Sequence, residues 1–271
     1  MNAATPIPQI EFAGVDKRYS NGRLVLSGLN ISVAKGEFVS FLGPSGCGKT
    51  TILKLIAGLT PPSDGTVRVD GMTPKDARET VSYIFQDATL LPWRNVLQNV
   101  GLGLELERVG KDRRAKKTAE LLDLVGLGHV AKAYPRELSG GMKMRASIAR
   151  ALITRPAVLL MDEPFAALDE ITRTRLNDDL VALKCSLGAT VVFVTHSVFE
   201  SVYLSTRIVI FAPRPGRAVA EISVDAPLPR SAEFRMSPGY AEKCRETSLA
   251  LHEAMDLAPE TESSSVKGAR A

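Results

Sequence analysis

The segment Gly43-Pro44-Ser45-Gly46-Cys47-Gly48-Lys49-Thr50 has the G-x-x-x-x-G-K-T spacing of a phosphate-binding loop. Its glycines let the backbone wrap closely, so successive N–H groups and the next helix start point at polyphosphate oxygens. Lys49 supplies a point charge for β- and γ-phosphates. Thr50 puts a hydroxyl where a Mg²⁺ bridging those oxygens would be coordinated, and Thr51 follows it into the same helical turn. A second group, Asp162-Glu163, follows the apolar run Val158–Met161. Adjacent carboxylates at the end of a buried strand can divide labour: Asp162 holds Mg²⁺ directly or through water, and Glu163 orients and deprotonates an attacking water. Thr195-His196 ends the next apolar run, Val191–Val194, in the same way, which favours a γ-phosphate contact for His196. The plainer alternatives are a mere strand end for Asp162-Glu163-Pro164 and a capping or packing role for His196.

These groups need elements to carry them. Phe38–Leu42 reads as a strand running into the glycine-rich turn, and Thr51–Ala57 as a helix stopped by Gly58. Before them, alternation in Ile10-Glu11-Phe12 and Leu29–Val33 predicts an antiparallel β layer. From Val96 to Thr154 the signals turn helical, with Ala119–Val125 stopping at Gly126 and a second helix opening after Ser139-Gly140-Gly141 and ending at Pro156. A helical pattern from Ile171 to Leu187 separates the buried strands Val158–Met161 and Val191–Val194, which argues for a mainly parallel sheet. Beyond Pro213 one helix is expected near Ala241–Met255, followed by a tail too polar to order itself.

Together these motifs resemble the ABC transporter ATPase family, over roughly Ile10 to Leu257 and in the family's order. The feature that separates this family from other phosphate-loop ATPases is its signature, which Leu138-Ser139-Gly140-Gly141-Met142 resembles. Physically, Ser139 and two glycines opening a helix make a second anion-binding N-terminus. The resemblance implies that this signature closes on ATP held by the phosphate loop of a second subunit, in a head-to-tail dimer. It also implies that Tyr19 stacks on adenine, that Gln86 contacts Mg²⁺ and the attacking water, and that Ala167-Leu168-Asp169 crosses the dimer interface. Packing for Tyr19 and a solvated loop position for Gln86 are the competing readings. Met142, Ala166 and Ser197 depart from the residues common in the family, without removing a phosphate or metal ligand.

The implied fold is α/β: a P-loop NTPase core with a mainly parallel sheet, an N-terminal antiparallel β layer and an inserted helical subdomain. The expected division is 1–86 for the first part of the core, 87–156 for the helical subdomain, 157–225 for the second part of the core, and 226–271 for a C-terminal helix and tail. LLPWRNVLQNV, LSGGMKMR and Ala212–Arg217 bring the chain nearest to the nitrate, sulfonate and taurine importer group. That implies ATP and Mg²⁺ as cofactors, a second ATPase subunit, two membrane permease subunits and, indirectly, a solute-binding protein. Asp87–Trp93 looks like the surface that receives a membrane subunit; Trp93 packed internally is the alternative.

Composition bounds the choice without making it. The 271 residues, 45 % of them hydrophobic, can bury one generous core with a sizeable insertion. Cys47, Cys185 and Cys244 are odd in number and widely spaced, as expected for reduced thiols. The start, MNAATPIPQIEF, has no basic region and no apolar core of a secretory leader, and no apolar run approaches the ~20 residues of a membrane span. The expected location is therefore the cytoplasm, and the resemblance implies that the chain is peripheral on the inner face of the membrane. A net charge of +4 is too small to establish a nucleic-acid partner, and none is expected; the basic run Lys111–Lys117 reads as a solvated face ahead of a helix. Two other classes compete: a soluble ABC ATPase serving nucleic acid, which usually carries long coiled-coil or tandem insertions, and a regulatory ATP-binding module that powers nothing.

Overall fold

The computed structural model describes residues 7–257. In chain order the elements are β1 (Ile10–Arg18), β2 (Leu24–Val33), β3 (Phe38–Leu42), α1 (Lys49–Ile56), β4 (Asp64–Val69) and β5 (Val81–Ile84). Then come α2 (Val96–Val100), α3 (Leu102–Leu106), α4 (Lys111–Leu124), α5 (Gly140–Leu152), β6 (Val158–Asp162) and α6 (Glu170–Leu187). The chain continues through β7 (Thr190–Thr195), α7 (Val198–Leu204), β8 (Arg207–Ala212), β9 (Arg217–Ser223), α8 (Ala232–Arg235) and α9 (Pro238–Asp256).

The strands form two sheets. An antiparallel three-stranded layer has the order β2-β1-β4, and a six-stranded sheet has the order β5-β6-β7-β3-β8-β9, parallel except for the returning strand β9. Alternation sorts the central strands between two cores. Phe38, Leu42, Leu159, Met161, Val191, Phe193, Ile208 and Ile210 face one way, with buried residues of α5, α6, α7 and α9. Val39, Phe41, Val158, Leu160, Val192, Val194, Val209 and Phe211 face the other, with α1 and the antiparallel layer. Each large apolar side chain contributes roughly 1.5–3 kcal/mol when fully buried. A one-residue slip would exchange the two sets, so the register is strongly fixed.

Several elements differ from the sequence pattern. The basic run Lys111–Lys117 is the first half of α4 rather than a prelude to it, because Lys, Arg and Ala are good helix formers and only Thr118 and Leu122 of this helix are buried. The apolar pattern did not announce β4, β5 and β9, which are short or half exposed. The C-terminal helix starts earlier than Ala241, with Ser237 capping Tyr240 N and Pro238 in the first turn. The polar tail after residue 257 and the first six residues of the start lie outside the described residues.

A buried guanidinium ties the C-terminal segment to the core. Arg230 donates to the carbonyls of Val202, Tyr203, Ser205, Val224 and Ala226, satisfying the open end of α7 and the strand exit after β9. No helix among the described residues is long and apolar enough to cross a membrane.

Candidate active site

Strand register brings the chemistry to one edge. Leu42 of β3 pairs with Thr195 of β7, and Asp162 of β6 pairs with Val194 of β7. The residues that follow, Gly43, Glu163 and His196, therefore leave the parallel strands at the same carboxyl edge, where open α/β sheets bind ligands. Ile84 of β5 pairs with Met161, so Gln86 emerges beside Glu163.

The phosphate loop is held in a conformation that Gly48 permits. Gly48 caps α1 with φ of 99°, and a Cβ there would stand 2.6 Å from Leu26 Cδ2. Behind the loop, Gly216 in the turn between β8 and β9 lies so close to the Cys47 carbonyl that no side chain fits between them. Gly216 also exchanges backbone hydrogen bonds with β2, its N–H donating to Val25 O at 2.8 Å and its carbonyl accepting from Ser27 N at 3.2 Å. The Cys47 side chain points into the core, where burial pushes its thiol up despite the pull of Lys49. Lys49 is buried, its ammonium donating to Gly43 O at 2.6 Å and Pro44 O at 3.0 Å.

Across from the loop, Thr50 Oγ1 donates to Asp162 Oδ1 at 3.0 Å, and the Tyr83 hydroxyl donates to Asp162 Oδ2 at 3.0 Å. Glu163 adopts a left-handed backbone, φ 45°, its N–H donating to Val194 O. That conformation is uncommon for a residue with a Cβ, and such strain clusters at functional sites. Glu163 Oε2 lies 3.1 Å from His196 Nδ1.

Tyr19, Ser45, Gly46, Gly48, Lys49, Thr50, Thr51, Gln86, Asp162 and Glu163 line one cleft of about 510 Å³. Tyr19 stands at its rim, 38 % exposed, with its hydroxyl 3.3 Å from Thr51 Oγ1. Gly43, Pro44 and Cys47 support the loop from beneath rather than facing the cleft, and His196 reaches it through Glu163. Hydroxyl, carboxylate and amide oxygens from Thr50, Asp162 and Gln86 share the cleft, a hard donor set that suits a Mg²⁺-sized cation beside phosphate oxygens. Sequence reasoning missed Asn21 and Arg23, which complete the wall beyond Tyr19, and Tyr83. The Asn21-Gly22 turn signal could have flagged the first two. Nothing in the sequence shows that Tyr83 faces Asp162, because that depends on how β5 and β6 pair.

A family model described as "ABC transporter" matches residues 26–166. The taurine import ATP-binding protein TauB of Rhizobium johnstonii is 41 % identical over 245 residues, 89 % of this chain and 94 % of that protein. The chain belongs to the ABC transporter family. The aliphatic sulfonates import ATP-binding protein SsuB of Bacillus licheniformis is 44 % identical over 216 residues, 80 % of this chain and 82 % of that one. Among solved structures, the dimeric post-hydrolysis state of the ATP-binding cassette MJ0796 bound to ADP and Pi is 32 % identical. It superposes with a TM-score of 0.71 over 80 % of this chain and 99 % of that chain. The protein is thus an ABC ATPase of P-loop NTPase fold, and ATP is its nucleotide.

In this ABC ATPase the signature lies apart from the cleft. Ser139 caps α5, its hydroxyl accepting from Met142 N at 3.3 Å, and Gly140 packs beside Leu168 of the Ala167-Leu168-Asp169 loop. Asp169 in turn caps α6, accepting from Thr172 N at 2.9 Å. Trp93 is 71 % exposed. The loop that carries it is shaped by buried Asn99, whose amide binds the backbone of Leu91, Arg94 and Asn95, and by Arg150 of α5, which clamps Ala88 and Thr89.

Proposed function

We propose that this ABC ATPase is the energising subunit of an importer, working as a head-to-tail pair beneath two membrane subunits at the inner face of the membrane. The observation that carries this reading is the convergence of the phosphate loop, the Thr50–Asp162 contact and the Glu163–His196 pair on one cleft, while the signature helix start lies outside it. A second anion-binding helix start that does not line the cleft fits closure on a partner's nucleotide.

In this reading Lys49 exchanges its loop carbonyls for β- and γ-phosphate oxygens, and the loop N–H groups and α1 stabilise their charge. Tyr19 lies against the adenine. Thr50, Asp162 and Gln86 would hold Mg²⁺, which would supply neutralisation of the phosphate charge. Glu163 accepts the proton of the attacking water, and His196 orients the Glu163 carboxylate and senses the γ-phosphate. Ser139, Gly140 and Gly141 face the partner's ATP.

The names of its relatives support taurine, sulfonate and similar small solutes as cargo, and in this reading a solute-binding protein delivers them. The exposed Trp93 and the braced loop around it suit the contact with a membrane subunit. The test is reconstitution with candidate membrane subunits. ATP hydrolysis stimulated by a loaded solute-binding protein is expected, and hydrolysis indifferent to it counts against the importer role.

A further inference from the structure

Asp162 is gripped from both sides, and only one of the two grips belongs to the family's motifs. The second comes from β5, which pairs in register with β6 so that Tyr83 stands opposite Leu160 and Ile84 opposite Met161. The Tyr83 ring stacks on Phe85, the residue just past the end of β5, with centroids 4.3 Å apart and planes 27° apart. That stacking aims the hydroxyl at Asp162 Oδ2, 3.0 Å away, while Thr50 occupies Oδ1 at the same distance.

A carboxylate at a strand end rotates easily about its last torsion, whose preference is broad. We propose that Tyr83 is a positioning residue that holds Asp162 Oδ2, turning Oδ1 toward Thr50 and toward the divalent cation that accompanies ATP. The proposal rests on the nucleotide-hydrolysis reading of this cleft and adds to it a residue outside the motifs. Partners that orient a metal-binding carboxylate typically change metal affinity 10–100-fold when removed. Phosphate oxygens share the cation here, so the lower end of that range applies.

Tyr83→Phe removes the hydroxyl and keeps the ring on Phe85. Mn²⁺, standing in for Mg²⁺, is titrated into the full wild-type and variant chains, each in excess over a non-hydrolysable ATP analogue, and bound ion is followed by electron paramagnetic resonance. The expected result is Mn²⁺ binding about tenfold weaker in the variant, with affinity for the analogue in EDTA and the unfolding midpoint in EDTA both unchanged. Equal Mn²⁺ affinity in the two chains overturns the positioning role and leaves the nucleotide site standing. An equal loss of analogue affinity in EDTA also overturns it, by showing a general disturbance of the cleft. If the wild-type chain fails to bind the analogue at all, the nucleotide reading fails together with the proposal.

Discussion

Glu163 is the residue on which turnover is expected to depend. Its carboxylate sits at the cleft, 3.1 Å from the His196 ring, on a backbone strained into the left-handed region. Glu163→Gln keeps the shape and removes the proton acceptor. Steady-state ATP hydrolysis should fall by roughly 10²–10⁴-fold, the usual contribution of a general base, while affinity for ATP persists. Near-normal turnover in that variant would remove Glu163 from the role. Lys49→Ala should act on binding instead. Losing hydrogen bonds from a charged donor costs about 1.5–3 kcal/mol, or roughly 10–100-fold in nucleotide affinity, measured by titration with a fluorescent ATP analogue. At this scale the sequence was most informative, because the phosphate loop and the Asp162-Glu163 pair are contiguous in the chain. Tyr83 was not legible, since its partner is 79 residues away and meets it only through strand pairing.

Among the elements, α1 depends on the residue that opens it. Gly48→Ala puts a Cβ on a left-handed backbone, worth roughly 1–2 kcal/mol of strain, and presses on Leu26, adding about 1–3 kcal/mol of overpacking. Chemical denaturation should show lower stability, and ATP affinity should drop with it; a variant as stable and as tight as wild type would mean that the loop relaxes freely. The exit from α7 depends similarly on Arg230. Arg230→Ala strands buried carbonyls that cost about 1–3 kcal/mol each when unpaired, so the unfolding midpoint should fall clearly even though Arg230 does not line the cleft. An unchanged midpoint would show that water replaces the guanidinium. Helices with clear stops, such as α1 before Gly58, could be read from the sequence, as could the buried runs of β6 and β7. Strands β5 and β9 could not, since three half-buried residues and a single buried one in the first, and a mostly exposed or half-exposed surface in the second, leave no apolar pattern.

For the whole molecule, the separation of the signature from the cleft predicts a change of state. With Mg²⁺ and ATP the Glu163→Gln chain should move from monomer to dimer in size-exclusion chromatography with light scattering, and return to monomer when ATP is withdrawn. A chain that stays monomeric under saturating nucleotide would argue against the sandwich. The same nucleotide should raise stability by about 2.7 kcal/mol at a hundred times its dissociation constant. The α/β class was legible because buried runs alternate with helical stretches. The order of strands was not, because nothing local says that β3 lies between β7 and β8.

That placement has a consequence for synthesis. The strand that feeds the phosphate loop acquires its two neighbours, and the loop acquires its brace at Gly216, only from segments made much later. A ribosome that has finished α1 has produced the most recognisable stretch of the protein but nothing able to grasp ATP. The nascent first half must wait, with its central strand unpaired, until β7, β8 and the turn beyond them have emerged.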